Sequence, residues 1–289
     1  MGDTVASAIE RARLVLDAGG VARARVEAAE LYAALVGRAA SASWLEREEP
    51  LAAPLAVRLA EAAHRRAEGW PQAYAAGRAN FRGWWLAVDR RVLIPRPETE
   101  GLVDLVLAWL RSEGAERPLV ADAGTGSGAI AIALVRESFA RAVATDYSAG
   151  ALQVARANAA EHRVAERVEL ERGHLLAPLR GASVDVVVSN PPYVATGEWE
   201  RLEPGVKDYE PREALDGGPD GLAPTRELVA QAWVALRAGG LLALELDSRR
   251  AGESAELAVA AGFTSCVVVE DLSGRPRYLR ARRPADGRH

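Results

Sequence analysis

The sequence predicts an α/β fold in which a doubly wound domain follows a small all-α domain. Apolar residues recur at helical spacing from Thr4 to about Gly69. From Leu119 onward, short apolar runs alternate with helical patterns, as expected for successive βαβ units. A glycine-rich turn joins the first of these strands to the helix behind it, which is typical of a ligand-binding α/β domain.

The composition is that of an ordinary globular protein, with 49% hydrophobic and 26% charged residues in a chain of 289. This length allows one large domain and one smaller domain. The net charge of −4 does not indicate a strongly basic surface for nucleic acid. No apolar run reaches the length of a membrane span, and the start of the chain is unlike a signal peptide, so we expect cytoplasmic residence.

Cysteine and histidine usage argues against a metal site. Cys266 is the single cysteine, which excludes an intramolecular disulfide and a cysteine-based zinc cluster. The four histidines show no metal-ligand spacing; they are His64, His162, His174 and His289. We therefore expect no metal in this protein.

The N-terminal domain is assigned to residues 1–72 and is predicted to hold four or five helices. Gly19 and Gly20 end one helix, while Pro50 and Pro54 bracket the entry to another. Such a domain either only stabilises the fold or recognises a partner, and its sequence alone leaves both interpretations open.

Residues 73–92 are predicted to form a linker hairpin, because aromatic and apolar residues alternate around Arg82 and Gly83. Residues 93–289 then form the α/β domain. Its first helix is entered through Pro95 and Pro97 and carries acids in its first turn, as the helix dipole favours. The predicted strands cover residues 119–122, 142–145, 168–170, 184–189, 241–246, 266–270 and 278–281.

The fourth predicted strand ends abruptly in two prolines, because neither can donate to a strand ladder. The residues at its tip are Asn190, Pro191, Pro192 and Tyr193. Ligands bind at the carboxyl ends of strands in an open α/β sheet, so Asn190 is expected at a site, on rigid backbone. The alternative is that Asn190-Pro191-Pro192 is only a tight turn.

Such a tip suits methylation of a planar nitrogen, whose lone pair is delocalised and therefore a poor nucleophile. The side-chain oxygen of Asn190 and the carbonyl of Pro191 can accept the two N–H groups, and Tyr193 can stack on the flat group. Positioning and electrostatics then supply the rate without a strong base.

The glycine turn consists of Gly124, Thr125, Gly126, Ser127 and Gly128. It fits an S-adenosylmethionine turn, yet Gly124, Gly126 and Ala129 also satisfy the dinucleotide pattern G-x-G-x-x-A, so NAD stays an alternative. The tip at Asn190 favours the methyl donor, because hydride transfer has no evident use for it.

Two acids flank this turn. Asp122 precedes the first glycine and can engage the ammonium group of a methionine moiety, or it simply caps the turn. Asp146 ends the second strand, about twenty residues past the turn, where an acid can accept both ribose hydroxyls. Its alternative role is that of an exposed helix cap before Ser148.

With these residues placed, the chain resembles the class I, Rossmann-like methyltransferases that use S-adenosylmethionine, and more narrowly the release-factor glutamine methyltransferases of the PrmC or HemK family. The motifs that carry the resemblance are Leu93-Ile94-Pro95-Arg96-Pro97-Glu98-Thr99-Glu100, the stretch from Asp122 to Gly128, the tip from Asn190 to Tyr193, Tyr209-Glu210-Pro211-Arg212 and Ala214-Leu215-Asp216-Gly217-Gly218. Together with the helical N-terminal region they cover nearly the whole chain.

The resemblance implies a seven-stranded, mostly parallel sheet whose last strand is antiparallel. It also implies methylation of the glutamine side-chain nitrogen in the Gly-Gly-Gln motif of peptide chain release factors. Residues 124–128 would hold the methionine part of S-adenosylmethionine, Asp146 the ribose, and residues 190–193 the substrate glutamine. Residues 1–72 would recognise the substrate and residues 93–289 would be catalytic.

One departure from the family pattern concerns adenine recognition. Family members carry an acid where this chain has His174, followed by Leu175. A neutral His174 can accept from the adenine amino group only in the right tautomer, and loss of the contact is the alternative. Leu175 would still pack against the adenine ring, so we predict a modest loss of cofactor affinity.

The main rival function is methylation of a nucleic-acid amino group, adenine N6 or guanine N2, because these present the same planar amine. Enzymes of that kind need a basic surface and a base-recognition region. We therefore expect no direct nucleic-acid partner, no membrane partner, and a monomeric enzyme that binds release factors.

Overall fold

The computed structural model describes residues 4–179, 181 and 183–285, so His289 lies outside the described residues. The chain folds into two compact units. One consists of Met1–Arg90 with Glu203–Glu210, and the other of Arg91–Leu202 with Pro211–His289. The boundaries at residues 72 and 92 stay predictions.

The first unit is helical, as the sequence predicts, and then turns into a hairpin. Its elements before residue 90 are α1 Val5–Ala18, α2 Ala24–Val36, α3 Ala42–Leu45, α4 Ala53–Ala67, α5 Gln72–Ala76, β1 Arg78–Phe81 and β2 Trp84–Ala87. Helix α1 begins with a capping box in which Thr4 and Ser7 exchange side-chain and backbone hydrogen bonds. The buried face of the helices is dominated by alanine and leucine, including Leu16, Leu31 and Leu59.

A distant segment completes this unit. Residues Glu203–Glu210 contain the short helix α9, Pro204–Lys207. The ring of Tyr209 lies 5.4 Å from that of Trp70, and the Arg90 guanidinium lies 4.8 Å from the centre of the Tyr209 ring. These aromatic and cation–π contacts explain why a segment so far along the sequence packs with the N-terminal helices.

Within the described residues, the second unit contains a seven-stranded sheet. Its strands are β3 Leu119–Ala123, β4 Arg141–Asp146, β5 Val168–Arg172, β6 Val184–Ser189, β7 Leu236–Glu245, β8 Thr264–Glu270 and β9 Pro276–Arg282. Their spatial order is β5-β4-β3-β6-β7-β9-β8. Strands β3 to β7 run parallel and β9 is antiparallel to both neighbours, which confirms the predicted fold class.

Helices pack on the sheet between successive strands. The longer ones are α6 Pro97–Glu113, α7 Ala129–Glu137, α8 Ala149–Glu161, α10 Ala223–Ala235 and α11 Ala251–Ala260. Central strand residues such as Val120, Val187 and Leu242 have no exposed surface, because helices cover both faces of the sheet. Within the part of the chain that the structure describes, none of the helices combines the length and apolar character needed to span a bilayer.

Strand β7 begins five residues earlier than the sequence predicts, at Leu236 and not at Leu241. The register against β6 shifts between Val184 and Val186, so the intervening residues of β7 are irregular. Periodicity gives no signal for such a bulge. The reversal of strand order lies between β3 and β6, which places a topological switch point at their carboxyl ends.

Candidate active site

A cavity of about 640 Å³ opens at this switch point. Of the residues predicted to form the site, those lining the cavity are Gly124, Gly126, Asp146, His174, Leu175, Asn190, Pro191 and Pro192. The predicted residues Asp122, Thr125, Ser127, Gly128 and Tyr193 lie outside its lining. The structure therefore brings the glycine turn, the acid after β4 and the tip after β6 around one space.

The glycine turn depends on backbone conformations that side chains disfavour. Gly126 has a φ of +56° and Gly128 a φ of +84°, both in the left-handed region. At Gly128 a Cβ atom would also lie 3.0 Å from the side chain of Ile132 and 3.3 Å from that of Ala155. Glycine at residue 128 thus lets α7 and α8 approach each other closely.

Asp146 is tied to the backbone through both carboxylate oxygens. Gly126 N–H donates to Oδ2 at 2.9 Å, and Ser148 N–H donates to Oδ1 at 2.8 Å. Burial raises the pKa of Asp146, while these backbone donors act in the opposite direction. Each carboxylate oxygen has a second lone pair, so Asp146 links the turn to α8 and still can accept from a ligand.

Asp122 is fully buried behind the turn. Its Oδ2 accepts from Thr125 Oγ1 at 2.6 Å and from Ala131 N–H at 3.1 Å, as in the capping interpretation. Its Oδ1 has no hydrogen-bond partner among the described residues. Burial raises the pKa of Asp122 to about 6. This orphaned oxygen is the one feature that a purely structural cap does not explain.

The tip begins one residue after β6, where Asn190 is partly buried. Ser189 Oγ donates to the carbonyl of Ala123 at 2.6 Å, which fixes the end of β6 against β3. The Asn190 amide nitrogen lies 3.3 Å from Thr99 Oγ1 on α6. Burial raises the pKa of Tyr193 to about 12, so its phenol is neutral at physiological pH.

A loop that sequence reasoning left without a role supports this tip. Gly217 N–H donates to the carbonyl of Val194 at 2.7 Å, and Asp216 forms a parallel bridge with Val194. A Cβ on Gly217 would lie 2.9 Å from the carbonyl oxygen of Pro192. The paired glycines at 217 and 218 were the available signal, but only the packing identifies the tip as their partner.

Glu227 on α10 also lines the cavity and was missed in the sequence. Its Oε2 lies 2.9 Å from Nε2 of His174. Leu175, next to that histidine, adopts a φ of +49°, which is unusual for a leucine. Its carbonyl accepts from the buried Thr145 hydroxyl at 2.6 Å, and this bond holds Leu175 at the cavity wall.

Across residues 4–179, 181 and 183–285, no group of three or more histidine, cysteine, aspartate or glutamate side chains is arranged to hold a metal ion.

Comparison with known proteins gives consistent matches in sequence. The model of the PrmC N-terminal domain matches residues 7–77, and that of the methyltransferase small domain matches residues 103–202. The chain is 43% identical to the release factor glutamine methyltransferase of Moorella thermoacetica over 282 residues, which covers 97% of this chain and 99% of the relative. It is 36% identical to the release factor glutamine methyltransferase of Agrobacterium fabrum, covering 97% and 98%.

Solved structures share the fold at low sequence identity. The hMettl16 catalytic domain in complex with MAT2A 3'UTR hairpin 6 matches with a TM-score of 0.55 at 16% identity, covering 81% of this chain and 82% of that one. The T. Thermophilus 16S rRNA N2 G1207 methyltransferase, solved with AdoMet and guanosine, matches with a TM-score of 0.50 at 19% identity, covering 71% and 49%. The full-length sequence matches are the decisive ones: the chain belongs to the release factor glutamine methyltransferase family.

Proposed function

We propose that this protein transfers the methyl group of S-adenosylmethionine to the side-chain nitrogen of the glutamine in the Gly-Gly-Gln motif of peptide chain release factors. One observation carries the proposal: Asn190 and Pro191 line the same cavity as Gly126 and Asp146. The two groups proposed to accept from the substrate amide and the acid proposed to bind the ribose therefore share one space.

The cavity residues fit the cofactor by chemistry and size. About 640 Å³ is within the range of cofactor sites. Asp146 would accept from the ribose hydroxyls and Leu175 would pack against the adenine. Residues 124–128 would hold the methionine moiety, with Gly124 and Gly126 at the cavity wall. The predicted contact of Asp122 Oδ1 with the ammonium group would require this turn to move, because Asp122 is fully buried and lies outside the lining. When bound, S-adenosylmethionine supplies an electrophilic methyl group on a sulfonium.

Adenine recognition is proposed to use His174 together with Glu227. A carboxylate only accepts, so the proton of a neutral His174 is on Nε2, which donates to Glu227. The other ring nitrogen, Nδ1, is then the acceptor that the adenine amino group needs. We therefore propose this tautomer for His174.

Family membership also favours the methyl donor over a dinucleotide, although Gly124, Gly126 and Ala129 satisfy both patterns. The similarity to the two solved structures, one bound to an RNA hairpin and the other an rRNA methyltransferase, concerns the fold only, because the identities are 16% and 19%. The net charge of −4 gives no support for a nucleic-acid substrate.

The proposed mechanism is direct in-line transfer. Asn190 Oδ1 and the Pro191 carbonyl would accept the two N–H groups of the glutamine amide. Tyr193, which lies outside the lining of the cavity, is the residue proposed to stack on the plane of that amide. The amide nitrogen is thereby held with its lone pair toward the methyl group, and its surplus proton passes to water after transfer. Pro192 stiffens the tip.

The domains are proposed to have separate roles in substrate recognition and catalysis. Residues 1–72, which include most of the match to the PrmC N-terminal domain, would recognise the release factor. Residues 73–92 would act as a linker hairpin, and residues 93–289 as the catalytic domain.

The proposal is tested by incubating the protein with labelled S-adenosylmethionine and a purified release factor, followed by mass spectrometry of the Gly-Gly-Gln peptide. We expect one added methyl group on the glutamine, and none when that glutamine is replaced by glutamate. Asn190→Ala should abolish transfer while cofactor affinity, measured by calorimetry, stays nearly unchanged.

A parallel incubation with ribosomal RNA separates the rival function. Salt-sensitive label in RNA, with the release factor unmodified, would contradict the proposal. So would near wild-type turnover of Asn190→Ala.

A further inference from the structure

A buried chain of hydrogen bonds runs behind Asn190. Asn190 Nδ2 lies 3.3 Å from Thr99 Oγ1, and the Thr99 hydroxyl donates to Glu245 Oε2 at 2.8 Å. Thr99 is 4% exposed and Glu245 is 1% exposed. The three residues come from the tip after β6, the first turn of α6 and the end of β7.

Proton counting decides which end of the Asn190 amide faces Thr99. A threonine hydroxyl has one hydrogen, and an ionised carboxylate can only accept. When Glu245 is ionised, the Thr99 hydrogen therefore goes to its carboxylate, and the lone pairs of Thr99 Oγ1 face Asn190. Only the NH₂ group of an amide can donate to those lone pairs, so Asn190 Oδ1 is on the side away from Thr99.

We propose that Thr99 and Glu245 are positioning residues that hold the Asn190 amide with its nitrogen toward Thr99 and its oxygen toward the substrate amide. This inference rests on the proposed function, in which Asn190 Oδ1 accepts from the glutamine nitrogen.

The orientation matters because the flipped amide presents the wrong group. With its nitrogen toward the substrate, Asn190 would set N–H donors against the N–H groups of the glutamine. The acceptor matters most when methyl transfer makes that nitrogen positive and its N–H groups more acidic. Loss of the amide orientation is therefore expected to lower kcat more than it changes KM.

The surroundings of Glu245 set the conditions of the test. Burial raises the pKa of Glu245 to about 7, and Glu98 acts in the same direction, whereas Arg277 and Arg96 favour the charged form. The assays are therefore run at pH 8.5, where Glu245 is mostly ionised. Only the ionised carboxylate is restricted to accepting the Thr99 hydrogen.

The first comparison is Thr99→Val against Thr99→Ser. Valine has the same shape but no hydroxyl, so the amide loses its fixed orientation; serine keeps the hydroxyl. We expect kcat of Thr99→Val to fall about 10- to 100-fold, the size of a lost hydrogen bond to a buried charged network, and that of Thr99→Ser to stay within about threefold. Affinity for S-adenosylhomocysteine should be unchanged in both.

The second comparison uses a variant that is expected to reverse the hydrogen bond between Thr99 and Asn190. In Glu245→Leu the Thr99 hydroxyl has lost its acceptor and is expected to donate to Asn190 Oδ1, which flips the amide and lowers kcat by at least about tenfold. Adding Asn190→Asp should restore turnover at least about tenfold, because a carboxylate presents an oxygen in either orientation. In the wild-type background Asn190→Asp should instead lower turnover, because two carboxylates then compete for one hydrogen.

An assay-independent measurement separates this inference from the proposed function. The nitrogen-15 resonance of the Asn190 side-chain amide, assigned by its loss in Asn190→Asp, should shift in Thr99→Val and Glu245→Leu. Absence of methyl transfer by the wild type would refute the proposed function but not the amide shift. An unshifted resonance, wild-type kcat in Thr99→Val, or no rescue by Asn190→Asp would overturn the positioning role. If Thr99→Val does not fold, the Glu245→Leu rescue decides.

Discussion

The His174 Nε2 and Glu227 Oε2 atoms lie 2.9 Å apart on the wall of the cavity, although 53 residues separate them in sequence. An acid is thus present beside the position where the sequence lacks one. This acid, Glu227, belongs to α10 and lies at hydrogen-bond distance from His174.

This pairing predicts that the two residues act as a unit in cofactor binding. Glu227→Leu should weaken binding of S-adenosylhomocysteine about two- to fivefold, because His174 then samples both tautomers. His174→Leu should give a similar loss, and the double variant no further loss. Titration calorimetry at pH 8 measures all three; fully additive losses would contradict the shared role.

Asp146→Asn should weaken binding of S-adenosylhomocysteine by about 10- to 100-fold. The asparagine has one oxygen in place of two, so it cannot accept from both Gly126 N–H and Ser148 N–H and also bind ribose. Glu169→Gln, an exposed acid on the neighbouring strand, is the matched control and should bind normally. Equal affinities of the two variants in calorimetry would remove Asp146 from the cofactor site.

Gly217→Ala is expected to slow methyl transfer without weakening cofactor binding. The added Cβ would lie 2.9 Å from the Pro192 carbonyl oxygen and also 2.9 Å from the backbone of Gly221, so the tip or the loop that supports it must shift. Gly197→Ala is the control, since a Cβ there meets nothing within 4 Å. We expect at least a tenfold lower kcat for Gly217→Ala, because small misplacements at a reacting centre are costly. Equal kcat values for the two alanine variants would show that the loop does not support the tip.

Glu245 should make stability depend on pH. Its pKa is raised from 4.5 to about 7 in the folded protein, so between these values the unfolded chain is ionised while the folded protein keeps its proton. The free energy of unfolding should therefore fall as pH rises from about 4.5 to 7, by about 3 kcal/mol from this group. Urea unfolding at several pH values should show a flatter profile in Glu245→Leu; an unchanged slope would contradict the shift.

Local sequence patterns were sufficient to predict the architecture of the α/β domain. Alternating strand and helix signals, the glycine turn and the proline-stopped strand predicted a doubly wound domain, and the seven-stranded sheet and the family are confirmed. Such patterns are readable because the period of apolar residues and the backbone limits of glycine and proline act within a few residues. The start of β7 was wrong because a register shift depends on the neighbouring strand.

The residues that line the cavity also include some that the sequence predicted and some that it did not. The positions of Gly126 and Asp146 follow from strand ends, which the sequence marks. Glu227 carries no such mark on α10, because an exposed glutamate on a helix is ordinary. Only the fold brings it to His174.

The sequence by itself determined most strands of the sheet, the glycine turn and the tip at Asn190, since each of these is encoded in a short stretch. The tertiary structure decided how that tip is held. Thr99 is 91 residues from Asn190 and 146 from Glu245, and hydrogen bonds across such distances exist only after the sheet has assembled. A buried polar group must find its partner wherever packing leaves one, and no local pattern records where that is.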